Sequence, residues 1–310
     1  MKPVVFLMGP TAAGKTALAL RLCEAYPFEI ISVDSSLVYR HLNVGSAKPA
    51  KSTLRKFPHH LVDIREPHET YSAAEFRHDA LQAIDAIHAN AKIPLLVGGT
   101  GLYFRTLECG IAELPAVPNK IRAQLRDQHQ RDGSQAMHTA LLAVDPESAG
   151  RIHPNDPQRI LRALEIYHAS GRPMGDYFKA QTREDFPFKL LKLVLAPADK
   201  SALHEPIAAR FEHMLASGFV NEVMKLRANP QLSLSTPALR AVGYRAVWQF
   251  LEGQKSRAEM VHDGVVATRR LAKRQYTWFR RENGAKWVDS YASGAFAKLT
   301  ACINREVFSG

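Results

Sequence analysis

Residues 3–16 read Pro3-Val4-Val5-Phe6-Leu7-Met8-Gly9-Pro10-Thr11-Ala12-Ala13-Gly14-Lys15-Thr16, and the fold follows from how these fourteen residues change character. The first six form a short, continuous apolar run, the pattern of a parallel strand buried on both faces. Glycines at 9 and 14 frame a loop, and the residues after Lys15 take up helical spacing. The loop itself, Gly9 to Thr16, has the form G-x-x-x-x-G-K-T between a strand and a helix, which is the setting a phosphate-binding loop requires. Backbone N–H groups turn inward around phosphate oxygens, and the helix N-terminus adds partial positive charge. Lys15 neutralises oxygens directly, and Thr16 can hold a magnesium ion.

The same strand-then-turn syntax recurs. Phe28-Glu29-Ile30-Ile31-Ser32-Val33 ends at Asp34, and Ile93-Pro94-Leu95-Leu96-Val97 ends at Gly98-Gly99-Thr100. Before the latter, Ser72-Ala73-Ala74-Glu75 predicts a capping box, with Phe76, Ala80, Ile84 and Ile87 on one helical face. Strand, helix and strand in this order predict a parallel α/β sheet flanked by helices.

After about residue 112 the pattern changes. Glu113 to Pro118 reads as a linker, and helical signals follow: Asp156-Pro157 as an N-cap with proline in the first turn, Ile160, Leu161, Leu164, Ile166 and Tyr167 as an apolar side, and Gly171 as a C-cap. Strand character returns at Phe188-Lys-Leu-Leu-Lys-Leu-Val-Leu195. The expected organisation is a core of residues 1–115 and 187–310 interrupted by an all-helical insertion over 116–186. The final third reads as helical, with a long helix from Ser256 to Asn283. Met260, Gly264, Ala267, Leu271 and Trp278 are expected on its apolar side, and Arg269, Arg270, Lys273, Arg274, Arg280 and Arg281 on a cationic one.

Composition sets outer limits. At roughly 150 residues per domain, 310 residues allow about two, and 46% hydrophobic content supplies a core. The 41 Lys and Arg against 30 Asp and Glu leave a formal charge of +11, which favours polyanionic partners. Three scattered cysteines, Cys23, Cys109 and Cys302, make neither a disulfide framework nor a Cys-type zinc site. A reducing cytoplasm is the expected location. The apolar run at 4–8 is far short of the ~20 residues of a membrane helix, so neither a span nor a signal peptide is expected. His59-His60 have no further ligand at a metal-binding spacing and are expected to be hydrogen-bonding loop residues.

A phosphate loop does not say which bond breaks. Asp34, one helix and one strand beyond the loop, is expected at the sheet edge that Lys15 occupies, where such folds bind ligands. It can act there as a substrate-facing acid or base, contact magnesium, or merely cap a turn. A small-molecule or nucleoside kinase would use this loop and Asp34 but leaves the basic stripe without a purpose. A nucleotide-gated RNA-binding protein would use the stripe but needs no Asp34.

Taken in order, several segments resemble the bacterial tRNA dimethylallyltransferases, also called tRNA isopentenyltransferases. They are Gly9 to Thr16, Ile31-Ser-Val-Asp-Ser-Ser-Leu-Val-Tyr39, Val44-Gly-Ser-Ala-Lys-Pro49, His59-His-Leu-Val-Asp-Ile64 and Tyr71-Ser-Ala-Ala-Glu-Phe76. Further along come Val97-Gly-Gly-Thr-Gly-Leu-Tyr-Phe104, Arg151 to Arg159, Val242-Gly-Tyr-Arg245 and Thr268 to Trp278. The resemblance runs through nearly the whole chain. It implies transfer of a dimethylallyl group from dimethylallyl diphosphate to N6 of the adenosine 3′ to the anticodon, position 37 of tRNA, with magnesium and release of diphosphate. The partner it implies is the tRNA anticodon stem-loop, and the insertion becomes a tRNA-binding domain. A monomer is the default, since no interface signature is visible.

Residue by residue, the resemblance makes Asp34, Thr100 and Lys15 catalytic. It makes Gly9, Pro10, Thr11, Ala12, Ala13, Gly14, Lys15 and Thr16 the diphosphate loop, with Thr16 toward the metal. For tRNA it implies Asp34, Ser35, Ser36, Leu37 and Thr100, then Arg122 and Gln158, Arg159, Ile160, Leu161 and Arg162. It adds Arg240, Ala241, Val242, Gly243, Tyr244 and Arg245, and finally Lys273, Arg274, Gln275, Tyr276, Thr277, Trp278, Phe279 and Arg280. Two departures stand out: Ala13 where the loop commonly has Ser, expected to weaken diphosphate affinity, and Ala241 where Cys is usual.

Overall fold

The computed structural model describes residues 1–181 and 186–308. The chain divides into two compact units, one of Met1–Glu108 with Phe186–Gly310 and one of Cys109–Asp185. The first unit begins β1 (Pro3–Met8), α1 (Lys15–Ala25), β2 (Phe28–Val33), α2 (Lys51–Lys56), β3 (His59–His60), α3 (Ala73–Ala89), β4 (Ile93–Gly98) and α4 (Gly101–Cys109). The second unit contains α5 (Asn119–Val144), α6 (Pro146–Arg151), α7 (Pro157–Ser170) and α8 (Met174–Ala180). The first unit then resumes with β5 (Lys189–Ala196), α9 (His204–Ala216), α10 (Phe219–Arg227), α11 (Tyr244–Leu251), α12 (Arg257–Phe279), β6 (Lys286–Asp289) and α13 (Ala295–Ile303).

The six strands form one sheet in the order β3-β2-β4-β1-β5-β6, every pair parallel. The expected α/β architecture is therefore present. Because side chains alternate across a strand, β1 sends Val4, Phe6 and Met8 into one core with α3, α4 and the end of α12. Val5 and Leu7 enter the opposite core with α1 and α13. Helix α3 starts at the capping box formed by Ser72 and Glu75, and it buries Phe76, Ala80, Ile84 and Ile87.

A further core lies beside the sheet. Val38, Tyr39 and Leu42, from the segment after β2, pack with Phe211, Phe219, Tyr244 and Trp248 of α9, α10 and α11. This cluster fixes where the chain goes once it leaves the sheet edge at Asp34.

The second unit is helical. Leu125, Met137, Leu141, Ile160, Ala163 and Leu164 make its core, and α5 breaks at Gly133. Asp156 caps α7 through the Arg159 N–H, with Pro157 in the first turn and Gly171 ending the helix in a left-handed conformation. The Gln181 side-chain amide donates to the Cys109 carbonyl at 3.3 Å, tying the ends of the unit together. Residues 182–185, part of the expected insertion, lie outside the described residues.

Three sequence-based expectations are corrected. His59 and His60 form strand β3, pairing with Ile30 and Ile31, so backbone hydrogen bonds rather than an apolar run define it. Lys286–Asp289 adds β6 in a region expected to be helical. On α12 the buried residues of the second half are Ala272, Tyr276 and Phe279, with Leu271 and Trp278 only half-buried. All six predicted basic residues are exposed. Among the described residues, no helix is long and apolar enough to cross a membrane.

Candidate active site

The phosphate loop sits where it was expected, between the C-terminal end of β1 and the start of α1. Its backbone is held rather than loose. Ala12 adopts φ +66°, a conformation that L residues enter only when the surroundings impose it. The Thr11 N–H donates to Gln275 Oε1 of α12 at 2.8 Å. Lys15 Nζ donates to the Pro10 carbonyl at 2.7 Å, so the ammonium curls over its own loop.

Ala13 is buried and packs against Leu203, Ile207 and Ala272. Its methyl is part of an apolar cluster, so a serine hydroxyl would meet hydrocarbon there. Thr16 is exposed at the first turn of α1.

Asp34 and Thr100 follow the C-terminal ends of β2 and β4, neighbours in the sheet. Their approach depends on Gly98: a Cβ there would stand 2.0 Å from the Val33 carbonyl oxygen, well inside contact distance. With glycine in place, the Thr100 N–H donates to that carbonyl at 3.2 Å. The Ser35 N–H donates to Thr100 Oγ1 at 3.2 Å. Asp34 Oδ1 accepts from the Ser36 N–H (2.9 Å) and the Ser36 hydroxyl (2.6 Å). The carboxyl is thus oriented through one oxygen.

The electrostatics join these residues and add another. Burial pulls the Lys15 ammonium down from 10.5 to about 7; the Asp34 carboxylate works against that shift and the Arg210 guanidinium works with it. Arg210, on α9, is itself lowered by burial, with Asp34 again opposing. Lys15, Arg210 and Asp34 therefore share one half-buried field. Arg210 escaped the sequence reading because it lies in no local motif; only the packing of α9 beside the sheet edge brings it here. Tyr291, also unread, places its hydroxyl 3.4 Å from the Ala12 carbonyl.

Helix α12 crosses this edge. A Cβ on Gly99 would meet Gln275 at 2.2 Å, and one on Gly101 would meet Trp278 at 3.0 Å. Gln275 and Trp278 thus lie against the Thr100 turn, while Lys273, Arg274, Thr277 and Arg280 are exposed.

The residues expected at tRNA are divided between the units. Asp34 to Leu37, Thr100, Arg240 to Arg245 and the α12 residues belong to the first, Arg122 and Gln158 to Arg162 to the second. Arg240 and Arg245 are exposed, and Ala241 and Val242 half-buried. In the second unit Arg122, Gln158 and Arg159 are exposed, with Leu161 and Arg162 half-buried. Arg162 and Arg122 both face Glu165, at 3.2 and 3.9 Å, and Arg159 pairs with Asp156.

Three expected contacts are corrected. Ile160 is fully buried in the second unit's core, Phe279 packs in the sheet core near Phe104, and Tyr244 lies in the core beside the sheet. None of these side chains offers a surface to RNA. Tyr276 is buried too, its hydroxyl on the Pro197 carbonyl.

Among the described residues no three His, Cys, Asp or Glu side chains cluster as a metal site. The donors at the loop are the Thr16 hydroxyl and the Asp34 carboxyl. They suit a magnesium ion that takes most of its oxygens from a bound diphosphate and water. His59 Nδ1 meets the Phe57 carbonyl at 2.6 Å, and His60 Nε2 meets Glu29 at 2.6 Å.

A family model described as IPP transferase matches residues 37–282. The full-length tRNA isopentenylpyrophosphate transferase of Bacillus halodurans is 30% identical, with a TM-score of 0.72 over 100% of this chain and 98% of that one. The tRNA delta(2)-isopentenylpyrophosphate transferase of Staphylococcus epidermidis is 29% identical, with a TM-score of 0.70 over 98% and 99%. A eukaryotic dimethylallyltransferase, described as acting on tRNA, is 24% identical and shares the fold, with a TM-score of 0.81 over 100% of this chain and 80% of that one.

Proposed function

Since the chain belongs to the IPP transferase family, we propose that it transfers a dimethylallyl group from dimethylallyl diphosphate to N6 of adenosine 37, 3′ to the anticodon of tRNA, releasing diphosphate. The observation that carries this reading is the meeting of Lys15, Arg210, Asp34 and Thr100 at one sheet edge. Cations that hold a diphosphate stand beside a carboxyl that can accept a proton.

The reaction breaks the bond between the allylic carbon and the diphosphate oxygen, forms a bond from that carbon to N6, and moves one N6 proton to Asp34. An exocyclic adenine amine is a weak nucleophile, so a positioned base that takes the proton as the bond forms contributes roughly 10²–10⁴-fold. Charge builds on the leaving diphosphate as the allylic carbon turns cationic. Lys15, Arg210 and the backbone N–H groups of Ala12 to Thr16 meet that charge with fixed dipoles and cations. Thr16 would hold a magnesium ion beside the diphosphate, and that ion when bound would add to the neutralisation of the leaving oxygens. The Thr100 hydroxyl, already fixed by the Ser35 N–H, orients the adenine or the bridging oxygen.

Access requires the adenosine to leave its stack, as in other enzymes that act on a base. The Ser35 to Leu37 turn and the exposed cations of α12 are the surfaces for the anticodon stem-loop, because RNA recognition works mainly on splayed loops. Arg240 and Arg245, with Arg122, Gln158, Arg159 and Arg162 of the helical unit, add RNA contacts. The protein works as a cytoplasmic monomer.

The deciding experiment supplies unmodified tRNA, magnesium and either labelled dimethylallyl diphosphate or γ-labelled ATP. Label from the first on adenosine 37 is the expected result. Transfer only from ATP would overturn the proposal in favour of a kinase built on the same loop.

A further inference from the structure

Glu222 of α10 lies outside every motif connected to the chemistry above, yet its carboxylate is fully engaged. Oε2 accepts the backbone N–H groups of Asn43 (2.9 Å) and Val44 (2.7 Å). Oε1 accepts the Gly45 N–H (3.1 Å) and the Tyr244 hydroxyl (2.7 Å). Three successive N–H groups aimed at one point form an anion-binding concavity, and here the protein fills it with its own side chain. A carboxylate offers about four lone-pair sites, and all four are used.

The cradle closes because residue 45 is glycine. A Cβ there would lie 2.1 Å from the Phe219 ring and 2.7 Å from the Tyr244 ring, two aromatics packed edge to face at 4.9 Å. The cradled residues turn back on themselves: the Ala47 N–H reaches the Val44 carbonyl (3.0 Å) and the Lys48 N–H the Asn43 carbonyl (2.9 Å). The Lys48 side chain is 3% exposed, and its ammonium bonds Asp63 (2.5 Å) and the Tyr39 carbonyl (2.7 Å).

The other end of this segment is the reacting centre. Ser35 and Ser36 bond Thr100 and Asp34, and between the ends Val38, Tyr39 and Leu42 are buried in the core that also holds Phe219 and Tyr244. One stretch, residues 35–48, is anchored at the chemistry by its start and at Glu222 by its finish.

Building on the proposed prenyl transfer, we infer that Glu222 is a positioning residue: its carboxylate fixes residues 43–45 and through them the Ser35 to Leu37 turn that receives the adenosine. Tyr244 serves this cradle and not the RNA. Cations of the diphosphate site do not touch Glu222, so its influence falls on adenosine alignment and not on donor binding.

Glu222→Gln keeps the shape but turns an acceptor into an NH₂ donor facing other donors. We expect single-turnover transfer at saturating tRNA and donor to fall about 10–100-fold, the scale of an ångström-level misalignment. The KM for dimethylallyl diphosphate should stay within about twofold, since a shift there would report the loop of Lys15. Backbone hydrogen exchange should quicken over residues 35–48 and not over 9–25. Should the Gln variant not fold, Glu222→Asp keeps the charge and must show the same pattern in smaller measure. Transfer at the wild-type rate in a variant whose residues 35–48 exchange faster would overturn the positioning role. So would a rise in donor KM in step with the rate loss. Failure of the wild-type protein to prenylate tRNA would instead refute the proposed reaction, so the two ideas fail separately.

Discussion

Diphosphate binding should take up a proton, and the amount follows from Lys15. In the free protein burial holds this ammonium at about 7 instead of 10.5, so at pH 8 about nine in ten molecules carry it neutral. A diphosphate brings concentrated negative charge to the loop, which favours the protonated form and returns the group toward its ordinary range. Lys15 is therefore expected to absorb ~0.9 proton on binding at pH 8 and only ~0.1 at pH 6. The affinity falls in consequence by up to about tenfold per pH unit above 7.

The assay is titration calorimetry of a non-transferable monoalkyl diphosphate in buffers of different ionisation enthalpy. Its own last ionisation, near pH 6 for a phosphate ester, is largely complete at pH 8. Lys15→Arg supplies a cation that does not titrate and should abolish the uptake. Uptake below ~0.2 proton at pH 8 in the wild-type protein would refute the reasoning, because Lys15 would then be charged before the ligand arrives.

The same shift predicts the stability profile. The folded group binds its proton less tightly than the unfolded one, so between about pH 7 and 10.5 the unfolded state holds more protons and stability rises with pH. The penalty is complete below pH 7, with a ceiling on the order of 5 kcal/mol. Lys15→Met should therefore raise the melting temperature of the free protein at pH 7 while it removes diphosphate binding.

Three further outcomes are expected. Asp34→Ala should slow single-turnover prenylation roughly 10²–10⁴-fold with tRNA affinity within a few-fold; near-full transfer would remove Asp34 from proton transfer. Replacing exposed Lys273 and Arg274 with alanine should weaken tRNA binding and flatten its logarithmic salt dependence by about 0.7–0.9 for each phosphate no longer neutralised; an unchanged slope would show that these cations do not touch phosphates. Gly98→Ala forces a methyl against the Val33 carbonyl, 2.0 Å away, and should destabilise by at least the ~1–3 kcal/mol of an overpacked core, read as a lower urea midpoint.

What the sequence could reveal, and what it could not, divides along a physical line. Strands β1, β2, β4 and β5 are central and buried on both faces, so each had to be written as an apolar run and could be read as one. Edge strands β3 and β6 bury less. His59-His60 needs only its backbone to pair with β2, and Trp287 of β6 is 43% exposed, so neither left an apolar signature. The same holds at the site. Lys15, Asp34 and Thr100 each follow a strand end or lie within a loop of fixed form, and their meeting follows from the order of parallel strands. Arg210, Gln275 and Glu222 act across gaps of more than 170 residues, on helices whose local sequence has only to be amphipathic.

Burial also separates members of a matched motif that look equivalent in a linear alignment. In Gly243-Tyr244-Arg245 the arginine is exposed, while the tyrosine is fully buried with its hydroxyl on Glu222. On α12 Lys273 and Arg274 face solvent, Gln275 reaches back to the Thr11 N–H, and Phe279 disappears into the sheet core. A helix that presents cations outward and an amide inward to the phosphate loop would join the proposed RNA surface to the proposed donor site through one element. Any displacement of α12 by bound RNA would then act on the Thr11 N–H, a donor within the loop proposed to hold the diphosphate.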